Sequence, residues 1–407
     1  MTHLVRPVTP EELVPFFEAR AAGFGEAFDP QRLEHIRTYA DFGRTLSVWD
    51  EGQVVGTAGA WAFSMSVPGG ELPCSGVTWV AVRPTHRRQG ILTAIMRKQL
   101  EDIRDRGEPI AMLWASESQI YGRFGYGLAA EGIEHLTIDR TRTALISGVR
   151  PSGRTRHVSV QRALETWPAV WERARRETPA MHNRTPAWWE RRVLRQPESP
   201  PDGYGPSYYV NYEEDGQTLG YVRYRVREKW VDGGSANDLS VVELISTTDA
   251  AYTALWEFIF GIDLTGTILA DWRRVDEPLF YMLADSRRLI RKPTDTVFCR
   301  IVDPVAALSG RRYMTEGAIV LEVTDPFCEW VAGRYFLEGG PNGATCTPTS
   351  REPDVTLGAT ELGAIYFGQT RPTPLLHAGR LCGTDDAVRR LQAMFAWHIA
   401  PWAPEIW

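Results

Sequence analysis

Val80-Ala81-Val82-Arg83-Pro84-Thr85-His86-Arg87-Arg88-Gln89-Gly90-Ile91-Leu92 sets a β-branched strand, a loop of arginine and glycine, and the start of a helix in immediate succession. A helix N-terminus carries N–H groups without helical acceptors and the positive end of the helix dipole, so it holds anions. Gly90 lets the backbone come close to a ligand where a Cβ would obstruct it. Arg87 and Arg88 add fixed positive charge. Together these residues form a cradle for a pyrophosphate. There is no G-x-x-x-x-G-K-[ST] and no strand-bound G-x-G-x-x-G, so neither a Walker loop nor a dinucleotide fingerprint accounts for it.

The flanking sequence extends the pattern. Ile91, Leu92, Ile95, Met96, Leu100 and Ile103 recur at helical spacing, which predicts a helix with one face packed on a sheet. Arg106-Gly107 ends it, and Ile110–Ala115 reads as the next buried strand. Ile120-Tyr121-Gly122-Arg123-Phe124-Gly125-Tyr126-Gly127 follows. The spacing R-R-x-G-x-L after a V-A-V strand resembles the acetyl-CoA signature of GNAT acyltransferases, and the tyrosine–glycine segment is similar to the one those enzymes place beside the thioester sulfur.

Composition bounds the rest. A chain of 407 residues implies two or three domains, and 43% hydrophobic with 24% charged residues describes a soluble globular protein. No apolar run approaches a membrane span and no signal-peptide core opens the chain, so a cytoplasmic location without membrane contact is expected. Five cysteines without a C-x-x-C pair read as core thiols, and eight scattered histidines offer no metal-ligand spacing, so no metal is expected. A net charge of −6 disfavours nucleic acid as partner and suits a cationic substrate. Most of the fifteen tryptophans are expected in cores, with several available to an aromatic pocket.

Three α/β domains are expected. Residues 1–140 run from the capping box Thr9-Pro10-Glu11-Glu12 through strands at Thr45–Asp50, Gln53–Ser66 and Ser75–Val82, closing with Ile133–Asp139. Residues 141–290 repeat the order of helices, hairpin, strand, helix and strand. Where the first copy has Arg87-Arg88-Gln89-Gly90, the second has Thr247-Thr248-Asp249-Ala250, whose acid repels phosphate. A degenerate copy that binds no nucleotide is expected. Residues 291–407 form the third domain, opening on Val297–Val302 and ending in the aromatic, proline-stiffened Pro401-Trp402-Ala403-Pro404-Glu405-Ile406-Trp407. Free termini are usually polar and frayed, so this one reads as buried at a specific place.

The whole chain resembles the enhanced intracellular survival (Eis) N-acetyltransferases. The resemblance rests on Val80–Gly90, on Ala115-Ser116-Glu117 with Ile120–Gly127, on Cys346-Thr347-Pro348-Thr349, and on the aromatic C-terminus. It implies two fused GNAT domains, a C-terminal domain like sterol carrier protein, and a homohexamer. It implies acetyl-CoA as acyl donor, held by Val80, Ala81, Val82, Arg87, Arg88, Gln89, Gly90, Ile91, Leu92, Ser116 and Glu117. It further implies Tyr121 as general acid, the backbone N–H of Val82 as oxyanion contact, and the α-carboxylate of Trp407 as base. Tyr126, the second phenol, reads as packing. Phe24, Glu26 and Trp79 match the family's substrate pocket, and Glu405 is the acid nearest the terminus. The implied acceptor is a polyamine-like molecule such as an aminoglycoside. Two other readings stay open: transfer to a protein lysine or N-terminus, and a lipid-binding role for the sterol-carrier-like third.

Overall fold

A computed structural model describes residues 4–196 and 203–407. The chain divides into two compact units, one of Met1–Ala130, Asp295–Pro401 and Ile406–Trp407, the other of Glu131–Thr294 and Trp402–Glu405.

The first unit opens with strand β1 (Val5–Pro7), a 3-10 turn at Pro10–Glu12 and helix α1 (Leu13–Phe24). The Thr9 N–H donates to the Glu12 carboxylate at 3.0 Å, the backbone half of the capping box. Helix α2 (Pro30–Arg37) follows, a helix absent from the sequence reading although Asp29 caps it through Gln31 N–H and proline occupies its first turn. Strands β2 (Leu46–Asp50), β3 (Gln53–Val67) and β4 (Gly70–Val82) form an antiparallel meander. Helix α3 (Ile91–Asp105), strand β5 (Ile110–Trp114), the single-turn helix α4 (Ser118–Tyr121) and strand β6 (Gly127–Leu128) complete this stretch. Ile91, Ile95, Met96, Leu100 and Ile103 of α3 are buried, each contributing roughly 1.5–3 kcal/mol. Their seat is tight, since a Cβ at Gly56 would lie 2.6 Å from Ile91 and 2.8 Å from Ile95.

The second unit contains β7 (Glu131–Asp139), β8 (Arg154–His157), α5 (Val160–Glu177), α6 (Pro186–Trp188) running into a π-turn, and the β9 (Tyr208–Glu214)–β10 (Gln217–Arg227) hairpin. A small ribbon of β11 (Trp230–Val231) and β12 (Gly234–Ser235) precedes β13 (Asn237–Ser246), α7 (Asp249–Phe260), β14 (Thr265–Arg274) and β15 (Leu289–Asp295). The chain then re-enters the first unit with β16 (Val297–Ile301) and α8 (Pro304–Ser309). A five-stranded sheet comes last, built from β17 (Gly317–Thr324), β18 (Gly333–Gly340), β19 (Gly343–Pro348), β20 (Val355–Gly358) and β21 (Leu381–Gly383). Helices α9 (Ala359–Ile365), α10 (Pro372–His377) and α11 (Asp385–Phe395) accompany it. Its interior is occupied by apolar side chains and by the buried Arg311, which donates to the carbonyls of Tyr366 and Phe395.

The sheet orders correct one expectation. The first sheet runs β1-β2-β3-β4-β5-β16-β6, and the second β15-β7-β14-β13-β10-β9-β8. The strand expected to close the first domain, Ile133–Asp139, therefore pairs with β14 in the second sheet, while Val297–Val302, expected to open the third domain, pairs through Val297–Ile301 with β5 and β6 in the first. The two segments exchange places. Four cysteines are buried as expected, but Cys382 is exposed at the edge strand β21.

Candidate active site

The site originates in one interrupted ladder. Strands β4 and β5 run parallel from the Cys74–Ile110 pair to the Val77–Leu113 pair and hold no further register, although β4 continues to Val82. The cause lies on the other side of β4. Its pairing with β3 jumps from Thr57–Ala81 to Gly59–Thr78, so Trp79 and Val80 together oppose Ala58. Such a bulge bends and twists the strand that carries it. Trp79 accordingly has φ +54°, and its carbonyl accepts from Thr57 Oγ1 at 2.8 Å. A Cβ at Gly59 would lie 2.4 Å from the Trp79 ring, so glycine is required there.

A cleft of about 940 Å³ opens at this fork, enough for a nucleotide-sized ligand. Val80, Ala81 and Val82 line one wall; Ser116, Glu117, Ile120 and Tyr121 line the other. Arg83 N–H donates to Val55 O of β3 at 2.9 Å. Alternation along an antiparallel ladder therefore turns the preceding N–H, that of Val82, away from β3 and toward the fork. Phe24 at the end of α1 also lines the cleft, together with Gly23, where a Cβ would meet Ala81 at 2.7 Å.

The cradle forms the cleft's far end. Arg88 (φ +63°) and Gly90 (φ +84°) are both left-handed, a conformation that points successive N–H groups into one concavity. The first helical bond of α3 runs from Ala94 N–H to Gly90 O at 3.0 Å, so the N–H groups of Ile91, Leu92 and Thr93 lack helical acceptors. A Cβ at Gly90 would meet nothing within 4 Å; its glycine serves the backbone angle, not packing. Arg87 lines the cleft while donating to Gly23 O at 2.7 Å, whereas Gln89 turns back to Thr85 O at 3.4 Å and is absent from the lining. His86, Thr93 and Arg123 also face the cleft, residues the motif reading passed over although two lie inside its quoted segments.

Tyr121 ends α4 against the cleft, and burial raises its phenol to about 12. Tyr126 packs edge-to-face against it at 6.0 Å, lies deeper, and does not line the cleft. The last residue, Trp407, is absent from the cleft lining and lies over the face of β4 at Gly76 and Thr78, where the pairing with β5 ends. Thr78 Oγ1 donates to a main-chain oxygen of Trp407 at 3.1 Å, and the indole packs against Phe63 (5.4 Å) and Trp114 (6.2 Å).

The remaining expected pocket residues are placed otherwise. Glu26 and Trp79 line a shallow depression beside α1 and α2, where Glu26 pairs with Arg20 and stands 3.9 Å from Arg32. Glu405 belongs to the second unit and is consumed there. Its carboxylate accepts from Arg184 Nε at 2.6 Å and Trp188 Nε1 at 3.2 Å, and stands 3.2 Å from His182. These positive neighbours outweigh burial and hold it well below the usual carboxylate range. An acid so engaged has no charge left for a ligand.

The second unit has its own divergence, since β13 pairs with β14 only from Asn237 to Val241 yet continues to Ser246. There Arg273 donates to Leu244 O at 3.0 Å and to Glu277 at 2.9 Å, and Trp402 lies 5.0 Å from the guanidinium. At the start of α7 the Thr248 hydroxyl accepts from Ala251 N–H at 3.1 Å, occupying the position an anion would take.

A forked sheet with a helix start opening into the cleft at its wide end defines a GNAT-type acyltransferase. Family models for the GNAT acetyltransferase domain match residues 4–129 and 180–301, and one for the sterol carrier protein domain matches 304–404. An uncharacterized N-acetyltransferase of Streptomyces avermitilis is 39% identical across 99% of both chains. The N-acetyltransferase Eis of Mycobacterium tuberculosis is 33% identical across 97% of both. The crystal structure of Eis1 from Mycobacterium abscessus superposes with a TM-score of 0.87 at 29% identity, covering 99% of this chain and 100% of that one. The chain belongs to the Eis family of N-acetyltransferases.

Calorimetric titration with coenzyme A should give one site per chain. Arg88→Glu combined with Gly90→Asp should weaken it at least about tenfold, because added negative charge and lost backbone access act on the same diphosphate. Unchanged affinity in a folded double variant, or two sites per chain, contradicts the placement.

Proposed function

We propose that the first domain catalyses direct transfer of acetyl from acetyl-CoA to a small-molecule amine, with Tyr121 and the α-carboxylate of Trp407 handling the protons. The observation that carries this reading is the fork, whose two walls bring the Val82 N–H and the Tyr121 phenol to one cleft. The diphosphate rests on the backbone of residues 88–92, and the arm carrying the thioester follows the unpaired edge of β4. The amine nitrogen bonds to the acetyl carbon while the Val82 N–H donates to the developing oxyanion. The Trp407 carboxylate accepts the proton lost by the amine. Cleavage of the C–S bond releases a thiolate, which Tyr121 meets as hydrogen-bond donor and which takes its proton from solvent while the Trp407 carboxyl gives the amine's proton back to solvent, so that amine and thioester become amide and thiol. With the phenol near 12 and a free thiol near 8.5, full transfer to a relaxed thiolate is uphill by about 5 kcal/mol. The hydrogen bond during C–S cleavage is therefore the useful contribution. The second domain, its fork filled by Arg273, binds no acyl donor and serves as scaffold.

Tyr121→Phe should lower kcat on the order of a hundredfold while leaving the KM for acetyl-CoA nearly unchanged. Because burial raises this phenol, it stays protonated through the assay range, and kcat/KM should show no descending limb below about pH 10. A benign Tyr121→Phe beside a damaging Tyr126→Phe reverses the assignment.

C-terminal amidation of Trp407 removes the charge at nearly constant size, and a Gly-Ser extension displaces it. Either change should cut turnover by at least roughly a hundredfold, whereas a tag at Met1 should not. Full activity of the amidated protein at neutral pH rules the carboxylate out.

A further inference from the structure

Tyr121 is followed by Gly122-Arg123-Phe124-Gly125-Tyr126-Gly127, and neither Gly125 nor Gly127 lines the cleft. What packs against these two glycines accounts for them. A Cβ at Gly125 would overlap the Arg300 guanidinium of β16 and lie 3.2 Å from Ala359 Cβ of α9. A Cβ at Gly127 would overlap Thr360 O of α9 and lie 2.5 Å from Ala364 N. From the other side, a Cβ at Gly363 would overlap Cys299 O and lie 3.2 Å from Gly127 N. The turn after Tyr121, β16 and α9 therefore meet backbone to backbone.

The polar groups of this junction are specific. Gly122 O accepts from the Gly125 N–H and from the Thr360 hydroxyl, each at 3.0 Å, and Tyr121 O accepts from the Tyr126 N–H at 3.3 Å. The Thr370 hydroxyl donates to Leu128 O at 3.2 Å. Arg300 is fully buried and ion-paired through Nη2 with Asp325. The second Asp325 oxygen accepts from the N–H groups of Phe327 at 2.9 Å and Cys328 at 2.8 Å, so the acid is fixed by backbone before it meets the guanidinium. Among the described residues, Arg300 Nε and Nη1 have no hydrogen-bond partner. Such donors are costly to bury, and an apolar side chain of similar volume would fill the space without that cost. What the guanidinium adds is a stiff planar wall, held by Asp325, against which the turn closes at Gly125.

We propose that Arg300 and Thr360 are positioning residues for the Tyr121 phenol, holding the turn that follows it so that the hydroxyl reaches the thioester sulfur. The proposal rests on the reading of Tyr121 as hydrogen-bond donor. The hydroxyl stands at the end of a long lever from its Cα, so a small tilt of the turn moves it by about 1 Å, a displacement that can disable a donor. The segment matched as a sterol carrier protein domain, which contains Asp325 and Thr360, thereby takes part in acyl transfer without holding a lipid.

Thiol release from acetyl-CoA with kanamycin as acceptor tests this. Thr360→Val removes the hydroxyl at constant size. Arg300→Lys keeps a charge opposite Asp325, which protects the fold, but loses the planar wall. Each should lower kcat about tenfold with the KM for acetyl-CoA within about twofold, and Thr360→Ser should restore kcat. In a Tyr121→Phe background neither should lower kcat further by more than about twofold, because the hydroxyl they position is gone. Full kcat in a variant overturns the proposal for that residue. An equal loss with and without the Tyr121 hydroxyl reveals a structural role, overturns the positioning and leaves Tyr121 as donor standing. Full kcat in Tyr121→Phe itself removes the donor reading and the proposal with it. A crystal structure of Thr360→Val with coenzyme A needs no acceptor: the Tyr121 hydroxyl should shift by about 1 Å with the diphosphate in place, and an unmoved hydroxyl overturns the proposal.

Discussion

The separation of β4 from β5 after Val77 and Leu113 is the constraint on which the rest of the site depends. Two extended strands that stop pairing leave a row of backbone N–H and C=O groups without partners, which is costly unless something else satisfies them. In the second sheet the chain meets that cost internally, with the Arg273 guanidinium bonded to Leu244 O. In the first sheet the stretch of β4 beyond Val77 instead lines a cleft. One chain thus carries two answers to the same geometric problem. One divergence is occupied by an arginine side chain and the other opens into a cleft.

Several small residues exist to maintain that opening. Gly59 admits the Trp79 ring, which allows the bulge; Gly56 seats α3, which aims its N-terminus at the cleft; Gly23 lets α1 approach β4 at Ala81. Gly90 holds a left-handed angle that places the first N–H groups of α3. None of these contributes through its own contacts. Each permits a neighbour to take the position the chemistry requires.

The parts of this arrangement that are local in the chain were legible from sequence. The strand–loop–helix cradle, the α3 face and the tyrosine segment each lie within a run of about fifteen residues, where periodicity and turn chemistry act directly. The exchange of Glu131–Asp139 with Val297–Ile301 was not legible, because a strand's own residues do not name its neighbour and pairing partners are chosen by tertiary packing. The employment of Glu405 was hidden for a similar reason: Arg184, its closest partner, lies 221 residues away. The packing of aromatic rings on the face of the first sheet opposite α3 was half-legible. The Gly59-Trp61-Phe63 alternation is written in the sequence, but that Trp79, Tyr39 and Trp407 share that face depends on a bulge and a chain end.

The central claim is that the fork between β4 and β5 is where acyl transfer takes place. A crystal structure with coenzyme A bound tests it most directly. The account predicts the diphosphate on the N–H groups of residues 88–92, the pantetheine arm along the free edge of β4, and the sulfur about 3–3.5 Å from the Tyr121 hydroxyl. A diphosphate bound at the start of α7, or a sulfur directed away from Tyr121, would contradict it.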